Sequence, residues 1–137
     1  EEVVSFSGKY SDLELNVDDL SAVLLKFKKK LLVELHLDHF QRPEFRNCKI
    51  IGTKGTIYWD SDSNSVKLFD IKKNKWLRQI TIQNYKRNDM YVKELKHFLS
   101  CISRKKETIN DLQQGIKTLE IAQAILNSSK RKRVIKI

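Results

Sequence analysis

The stretch that decides the fold is residues 48–60, which read CKIIGTKGTIYWD. Two runs rich in β-branched and aromatic residues flank a short loop, with Gly52 at one end and Gly55 at the other. Glycine is the residue that a chain uses where φ must become positive, as in tight turns between paired strands. The stretch therefore predicts a β-hairpin. The loop is too short for a phosphate-binding loop and no helix follows it.

Further strand-like runs lie on both sides of this hairpin. They are predicted at residues 3–7, 20–28, 31–40, 46–51, 56–60, 66–71 and 76–83. Runs 20–28 and 31–40 are expected to pair through a tight turn at Lys29-Lys30, which lacks the Asn-Gly or Asp-Gly of a two-residue hairpin. The runs from residue 46 onward are separated by polar turn residues and predict an antiparallel meander.

Two amphipathic helices follow the strands. The first is predicted from about Asp89 to Ser103, with Asn88 or Asp89 as its cap and apolar residues at helical spacing. The second is predicted from Asn110, where Asn110 and Gln113 resemble a capping box. This order predicts an α+β fold: an open-faced, mainly antiparallel β-sheet with two α-helices packed on one face.

The composition is that of one globular domain covering residues 1–137. Hydrophobic residues make up 40% and charged residues 32% of the chain, and no apolar run approaches the roughly 18 residues of a membrane span. The chain begins with Glu1 and a strand-like alternation, so we expect it to be part of a longer protein. Two distant cysteines without metal-ligand spacing predict a reducing cytoplasm.

The net charge of +10 leaves two classes of function open. A strongly basic protein can bind nucleic acid or another polyanion, and it can also attract a phosphorylated or carboxylated substrate. Here the lysines are dispersed along the chain, and arginine and aromatic residues do not cluster. A solvated basic surface is therefore favoured over a nucleic-acid interface, and a basic binding module remains the alternative.

The faces of the first long strand predict an unpartnered surface. Both of its sides are apolar, with Leu20, Ala22 and Leu24 on one and Val23, Leu25 and Phe27 on the other. Two helices of about four turns can cover only one face of a sheet. The remaining apolar face then requires another protein surface, so we expect a homodimer through the open sheet face.

One cluster of side chains has the character of a binding site. The alternation of a strand places Glu34, His36 and Asp38 on one face. Two arginines near the following bend are suited to a carboxylate or phosphate, although a surface ion pair with Glu44 is an alternative. The candidate substrate-binding residues are His36, Asp38, Gln41, Arg42 and Arg46.

Competing interpretations of this cluster remain. A solvated or interface role for the same residues is one of them. A metal site from His36, Asp38 and His39 is disfavoured, because the two histidines point to opposite faces of the strand. No metal ligand and no catalytic residue is therefore predicted.

Other reactive or aromatic side chains are interpreted as structural. Asp18-Asp19 and Asp60 to Asp62 lie beside turn residues, where aspartate usually caps or is solvated. Neither cysteine has a neighbouring histidine in the sequence that would argue for a nucleophile, and burial is expected for both. The aromatic residues that could stack on bases or sugars, but more often fill a core, are Tyr58, Trp59, Trp76 and Tyr85.

Taken in order, these features resemble the carboxy-terminal domain of the Gfo/Idh/MocA family of nicotinamide-dependent sugar oxidoreductases. The matching features are Asp18-Asp19 before a strand, the hairpin of residues 51–56 ending at Asp60, the helix with Tyr91 and Phe98, and residues 111–129 before the last strand. They extend over nearly the whole chain, and their order carries the resemblance.

The resemblance implies that this chain is one of two domains of a longer protein and that the two domains have different functions. In this family an amino-terminal Rossmann domain binds NAD or NADP, and its glycine-rich motif and Glu-Lys-Pro lysine have no counterpart here. The chain alone is therefore expected to be inactive and to bind no cofactor. The longer protein is expected to transfer hydride between a nicotinamide and a sugar or nucleotide sugar.

The bend at Gln41-Arg42-Pro43 resembles members linked to bacterial surface-polysaccharide synthesis. This similarity favours an anionic or nucleotide-linked sugar. The expected partners are a second copy, through the open sheet face, and a sugar or nucleotide sugar that is bound together with the Rossmann domain. Neither nucleic acid nor a membrane is expected as a partner.

Overall fold

The computed structural model describes the backbone of all 137 residues and every side chain except that of Arg78. The helices are α1 (Arg87–Arg104) and α2 (Leu112–Arg131), and Lys28–Lys30 forms a short 3-10 turn. The predicted α+β class is confirmed. The strands are β1 (Glu2–Gly8), β2 (Leu20–Lys26), β3 (Leu32–Asp38), β4 (Asn47–Gly52), β5 (Gly55–Asp60), β6 (Ser65–Asp70), β7 (Lys75–Thr81) and β8 (Ile135–Lys136).

The strands hydrogen-bond in two four-stranded antiparallel sheets and not in a single one. The first sheet has the order β3-β2-β1-β8, and the second has the order β4-β5-β6-β7. The second sheet is the predicted meander, because each strand pairs with the next along the chain. Alternation identifies a strand without specifying which edges meet, so the sequence did not reveal the division into two sheets.

The contacts of the chain fall into two compact units. One comprises Glu1–Gln41 together with Glu107–Ile137, and it contains the first sheet and α2. The other is Arg42–Lys106, and it contains the second sheet and α1. The assignment of all 137 residues to one domain stays a prediction.

The core of the first unit lies between α2 and one face of the first sheet. Its buried members are Val3, Val23 and Leu25 from the strands and Ala124 from α2. Partly buried apolar residues surround them, among them Ile125. Full burial of an aliphatic side chain contributes about 1.5–3 kcal/mol, so this cluster is a main source of stability in the first unit.

The opposite face of the first sheet is open. Leu24 and its neighbours across β1 and β3 lie on this face, because residues directly opposite one another point to the same side. The side chains of Phe6 and Leu32 are 67% and 64% exposed, and Leu24 is also exposed. The two-sided apolar pattern of β2 therefore gives one covered face and one exposed face, as the sequence predicted.

Four serines join α2 to β1 by hydrogen bonds. The Ser5 amide donates to Ser128 Oγ at 3.1 Å, and Ser5 Oγ donates to the Ile125 carbonyl at 2.6 Å. The Ser7 amide donates to Ser129 Oγ at 2.8 Å, and that hydroxyl donates back to the Ser7 carbonyl at 3.0 Å. These bonds pair polar groups at a packed surface, where an unpaired group would be costly.

The hairpin of residues 48–60 has the predicted pairing, with Gly52 opposite Gly55. Gly55 has a φ of 158°, and a Cβ there would lie 2.1 Å from the Phe69 carbonyl oxygen. Gly55 is therefore required by the close approach of β6. Of the two glycines that flank the loop, Gly55 is the one with positive φ. A Cβ at Gly52 would make only an ordinary contact.

The turn between β2 and β3 is longer than the predicted Lys29-Lys30 pair. The Phe27 amide donates to the Leu31 carbonyl at 2.8 Å, which leaves Lys28–Lys30 as a three-residue loop. Lys29 has a φ of 59° and Lys30 a φ of 61°. Residues with a Cβ are strained in this left-handed region, so the loop adopts a glycine-like backbone without glycine.

The helices begin and end close to the predicted residues. Asp111, not Asn110, caps α2, and its Oδ1 accepts the Gln114 amide at 2.9 Å. The helix α1 begins at Arg87, two residues before the predicted start. Neither helix is long and apolar enough to cross a bilayer, among the residues whose structure is described. The apolar stripe of α1 is exposed and consists of Tyr91, Leu95, Phe98, Leu99 and Ile102.

Candidate functional site

The structure brings His36 and Asp38 together at the end of β3. His36 Nε2 lies 3.0 Å from Asp38 Oδ2. The imidazole is 59% exposed, whereas the side chain of Asp38 is only 6% exposed. Both residues lie on the open face of the first sheet, on the edge strand β3. A nearly buried carboxylate therefore orients an imidazole that is open to solvent.

The loop after β3 fixes the charge and position of Asp38. Its Oδ1 accepts the Gln41 amide at 2.6 Å and the Phe40 amide at 3.1 Å. The Gln41 amide is the main cause that lowers the pKa of Asp38, opposed by desolvation and reinforced by His36. Asp38 is therefore a carboxylate at neutral pH. When His36 Nε2 donates to it, Nδ1 of the neutral ring is an acceptor, and the exposed imidazole can accept a hydrogen bond from a hydroxyl.

The other three candidates have different surroundings. Gln41 donates its backbone amide to Asp38, and it is followed by Arg42, whose peptide bond to Pro43 is cis. Arg46 Nη2 lies 3.5 Å from Glu44 Oε1, and both side chains are mostly exposed. This is the surface ion pair considered as the alternative for the arginines, and such pairs contribute little to stability. The substrate-binding role of these residues stays a prediction.

Asp19 is the residue whose importance was missed from the sequence. It was expected to cap a turn or to be solvated, yet it is 1% exposed. Its carboxylate accepts the Tyr10 amide at 2.7 Å, the Ser11 amide at 3.1 Å and the Ser11 hydroxyl at 2.5 Å. The Lys9 ammonium lies 3.1 Å away. Asp19 thus organises the loop between β1 and β2.

The backbone of Asp19 also supports the candidate site. The His39 amide donates to the Asp19 carbonyl at 2.9 Å, and Leu20, the next residue, pairs with Asp38. Burial opposes ionisation of Asp19, but the bonds from Ser11, Tyr10 and Lys9 prevail and lower its pKa well below the ordinary range. Asp19 therefore links the first loop, which its carboxylate holds, to the strand end that carries the His36–Asp38 pair, which its backbone carbonyl holds.

The remaining reactive groups show one correction. Cys101 is buried, and its Sγ lies 3.6 Å from His97 Nε2, one helical turn away. The expectation that neither cysteine has a neighbouring histidine was therefore wrong for Cys101. Cys48 is exposed and not buried as expected. No group of three or more potential metal ligands occurs among the side chains that the structure describes.

Asp60 has the structural role that was expected of it. Its carboxylate accepts the Asp62 amide at 3.0 Å and the Ser63 hydroxyl at 2.8 Å, within the turn between β5 and β6. The Ser63 hydroxyl is the main cause that lowers the pKa of Asp60. The carboxylate is therefore committed to the turn.

The comparison with protein families found one match over the whole chain. Residues 1–137 match the Gfo/Idh/MocA carboxy-terminal family, described as "Oxidoreductase family, C-terminal alpha/beta domain". The comparison with curated proteins found no match.

Solved structures share the fold at low sequence identity. An oxidoreductase domain protein from Kribbella flavida has a TM-score of 0.87 at 15% identity, covering 99% of this chain and 44% of that protein. A levoglucosan dehydrogenase in complex with NADH and levoglucosan has a TM-score of 0.84 at 12% identity, covering 99% and 44%. The aldose-aldose oxidoreductase from Caulobacter crescentus, complexed with glycerol, has a TM-score of 0.79 at 18% identity, covering 99% and 41%. The chain spans less than half the length of these proteins.

Proposed function

Because the chain belongs to the Gfo/Idh/MocA carboxy-terminal family of oxidoreductases, we propose that it recognises the substrate of an enzyme acting on sugars with NAD or NADP. The His36–Asp38 pair is the observation that carries the proposal. It offers an oriented imidazole to a ligand hydroxyl, and Gln41 and Arg42 follow the pair in the sequence. Sugars are rich in hydroxyl groups, and guanidinium groups bind phosphates or carboxylates in a bidentate manner.

The solved relatives support the class of cofactor and substrate. One is a levoglucosan dehydrogenase with NADH, and another is an aldose-aldose oxidoreductase. We extend this to a sugar or nucleotide sugar, because Arg42 and Arg46 suit an anionic group. A role in surface-polysaccharide synthesis is part of the proposal, because the bend at Gln41-Arg42-Pro43 resembles that of family members linked to this process. The residues of this chain would bind and orient the sugar, whereas the nicotinamide supplies the hydride chemistry on another domain.

The open face of the first sheet supports a second role in assembly. Its centre is apolar, with Phe6, Leu24 and their neighbours exposed. Charged groups of both signs surround this centre, including the Glu2–Lys26 ion pair at 3.0 Å and the polar side chains of β3. An apolar centre with a polar rim is the anatomy of a protein interface, and a rim with both signs can match itself across a two-fold axis. We therefore propose a homodimer through this face.

The substrate pair and the proposed interface are compatible. His36 and Asp38 lie on β3, which is the edge strand of the first sheet. They are therefore at the rim of the open face and not at its apolar centre. A location in the cytoplasm is part of the proposal, since the sequence has only two cysteines, far apart, and so lacks the pattern of a disulfide scaffold.

Steady-state kinetics of the full-length protein tests the proposal. Reduction of NAD and NADP is followed with a panel of sugars, sugar acids and nucleotide sugars for the wild type and the His36→Ala variant. We expect turnover with at least one of them, and we expect His36→Ala to lower kcat/KM for the sugar about tenfold, the value of one well-formed hydrogen bond. The KM for the nicotinamide should not change.

The matched control is Glu120→Ala, which removes an exposed charge of α2 and should leave both constants unchanged. The isolated 137-residue chain should show no hydride transfer. Failure of the full-length protein to bind either nicotinamide would overturn the assignment. Equal kinetics of wild type and His36→Ala would remove the pair from the substrate site.

A further inference from the structure

The second sheet contains a cleft that the proposed function does not use. The cleft has a volume of about 470 Å³ and is lined by Tyr58, Lys67, Trp76, Leu77 and Gln79. Its size lies within the roughly 300–1,000 Å³ range of small-molecule sites. All five residues belong to β5, β6 and β7, whereas His36 and Asp38 belong to the first unit.

A row of three side chains forms the middle of this cleft. Tyr58 of β5 is directly opposite Lys67 of β6, and Lys67 is directly opposite Gln79 of β7. Residues opposite one another point to the same face, so a phenol, an ammonium and an amide follow one another across the sheet. The row supplies hydrogen-bond donors and acceptors and one positive charge.

A β-bulge adds Trp76 to the same face. Leu68 pairs with Arg78 and Phe69 pairs with Trp76, so Leu77 is an extra residue in β7. Without it, Trp76 and Gln79 would lie on opposite faces, because they are three positions apart. The rings of Trp76 and Phe69 meet edge to face with centroids 5.5 Å apart. This contact fixes the indole, which is still 52% exposed.

The charges on this face favour an anionic ligand. Lys49 of β4 is opposite Tyr58, so a second lysine belongs to the same face as Lys67. The carboxylate of Asp60 also belongs to this face, but its oxygens accept the Asp62 amide and the Ser63 hydroxyl. The positive groups therefore outnumber the carboxylate, which is committed to its turn.

We propose that this cleft binds a pyranose ring that carries a carboxylate or phosphate group. The exposed indole of Trp76 offers a flat apolar surface to the C–H face of the sugar, Gln79 and Tyr58 bind its hydroxyls, and Lys67 binds the anionic group. The row of hydroxyl-binding groups beside the indole, with one ammonium group at its centre, favours an anionic sugar over a nucleobase. The site is independent of the oxidoreductase activity, so the two proposals can fail separately.

The two tryptophans of the chain make the proposal testable by fluorescence. Trp59 lies on the opposite face of β5 from Tyr58, where it pairs with Cys48 and Val66. The tryptophan fluorescence of the Trp59→Phe variant therefore comes only from Trp76 in the cleft, and that of Trp76→Phe comes only from Trp59 on the other face. Each variant is titrated with D-glucuronic acid and D-glucose after its circular dichroism spectrum has been compared with the wild type.

We expect D-glucuronic acid to change the emission of Trp59→Phe with saturation and to leave Trp76→Phe unchanged. In calorimetric titrations, Lys67→Met should weaken glucuronic acid binding about fivefold, as for a partly exposed charge pair, without affecting D-glucose. Lys54→Met, in the β4–β5 turn, is the control and should bind as the wild type does.

Calorimetry of the wild type, Lys67→Met and Gln79→Ala decides the question if a tryptophan variant fails to fold. Absence of saturable binding in both assays would overturn the proposal. Equal binding by wild type and Lys67→Met, or a response in Trp76→Phe equal to that in Trp59→Phe, would also overturn it.

Discussion

Ser128→Ala should destabilise the protein more than the same substitution at the other serine of α2. Ser128 is 0% exposed, and its hydroxyl makes two hydrogen bonds. It accepts the Ser5 amide at 3.1 Å and donates to the Arg133 carbonyl at 2.7 Å. The substitution leaves both of these backbone groups without their side-chain partner, and Ser5 is itself buried.

The expected cost follows from the burial of each group. The buried Ser5 amide, left unpaired, costs about 1–3 kcal/mol. The carbonyl of Arg133, an exposed residue, can bind water instead, at a cost below about 1 kcal/mol. Alanine favours a helix over serine by about 0.5 kcal/mol, which offsets a part. The net loss is about 2 kcal/mol. For a chain of 137 residues this corresponds to a decrease in Tm of about 7 °C.

Urea unfolding and differential scanning calorimetry measure this loss. The matched control is Ser103→Ala, because Ser103 is an exposed residue of α1 whose hydroxyl donates to the Ser100 carbonyl one turn away. The control should change the free energy of unfolding by less than about 0.5 kcal/mol. Equal stabilities for Ser128→Ala and Ser103→Ala would show that the serines do not join α2 to β1 as described.

Three further substitutions test local features. Lys29→Gly should stabilise the protein by about 0.5–1 kcal/mol in urea unfolding, because φ is 59° there, whereas Lys28→Gly should destabilise it. Gly55→Ala should cost about 3 kcal/mol or more by the same assay, since its Cβ would meet a carbonyl oxygen, and Gly52→Ala should change stability by less than about 0.5 kcal/mol. Folding lowers the pKa of Asp19, so its ionised carboxylate stabilises the fold fully at pH values above the ordinary pKa of 3.8 and loses this effect as the pH falls towards the lowered pKa. In Asp19→Asn, the free energy of unfolding should therefore fall less steeply between neutral and acidic pH.

The parts of the fold that could be predicted depend on local patterns. The hairpin of residues 48–60 follows from two runs of β-branched and aromatic residues around a glycine-containing loop, and its pairing is the expected one. The open face follows from the alternation in β2, where both sides are apolar. The helices follow from apolar spacing, with boundary errors of only a few residues.

The parts that were missed depend on partners that are distant in the sequence. The amide of Ser5 bonds to Ser128, which lies 123 positions away, and no local pattern indicates such a pair. Asp19 was interpreted as a turn residue because its neighbours are polar, whereas its burial arises from the loop that folds over it. The cleft at Trp76 depends on an extra residue in β7 that the alternation alone does not reveal.

The candidate site was predicted in part. The placement of His36 and Asp38 on one face followed from their spacing of two residues in a strand, and the structure adds the contact between them. The bonds that anchor Asp38 come from the backbone of the following loop, and a sequence does not show where such amides point. Arg46 has an exposed carboxylate as its partner, which is the alternative that its neighbour Glu44 suggested.

The measurement that tests assembly through the open face most directly is sedimentation velocity of the chain at micromolar concentrations. We predict a dimer for the wild type and a folded monomer for Phe6→Lys, which places a charge at the apolar centre of that face. Leu112→Lys, at the exposed start of α2 on the other side of the first sheet, should remain dimeric. A wild-type monomer, or a Phe6→Lys protein that is still a dimer, would contradict the account.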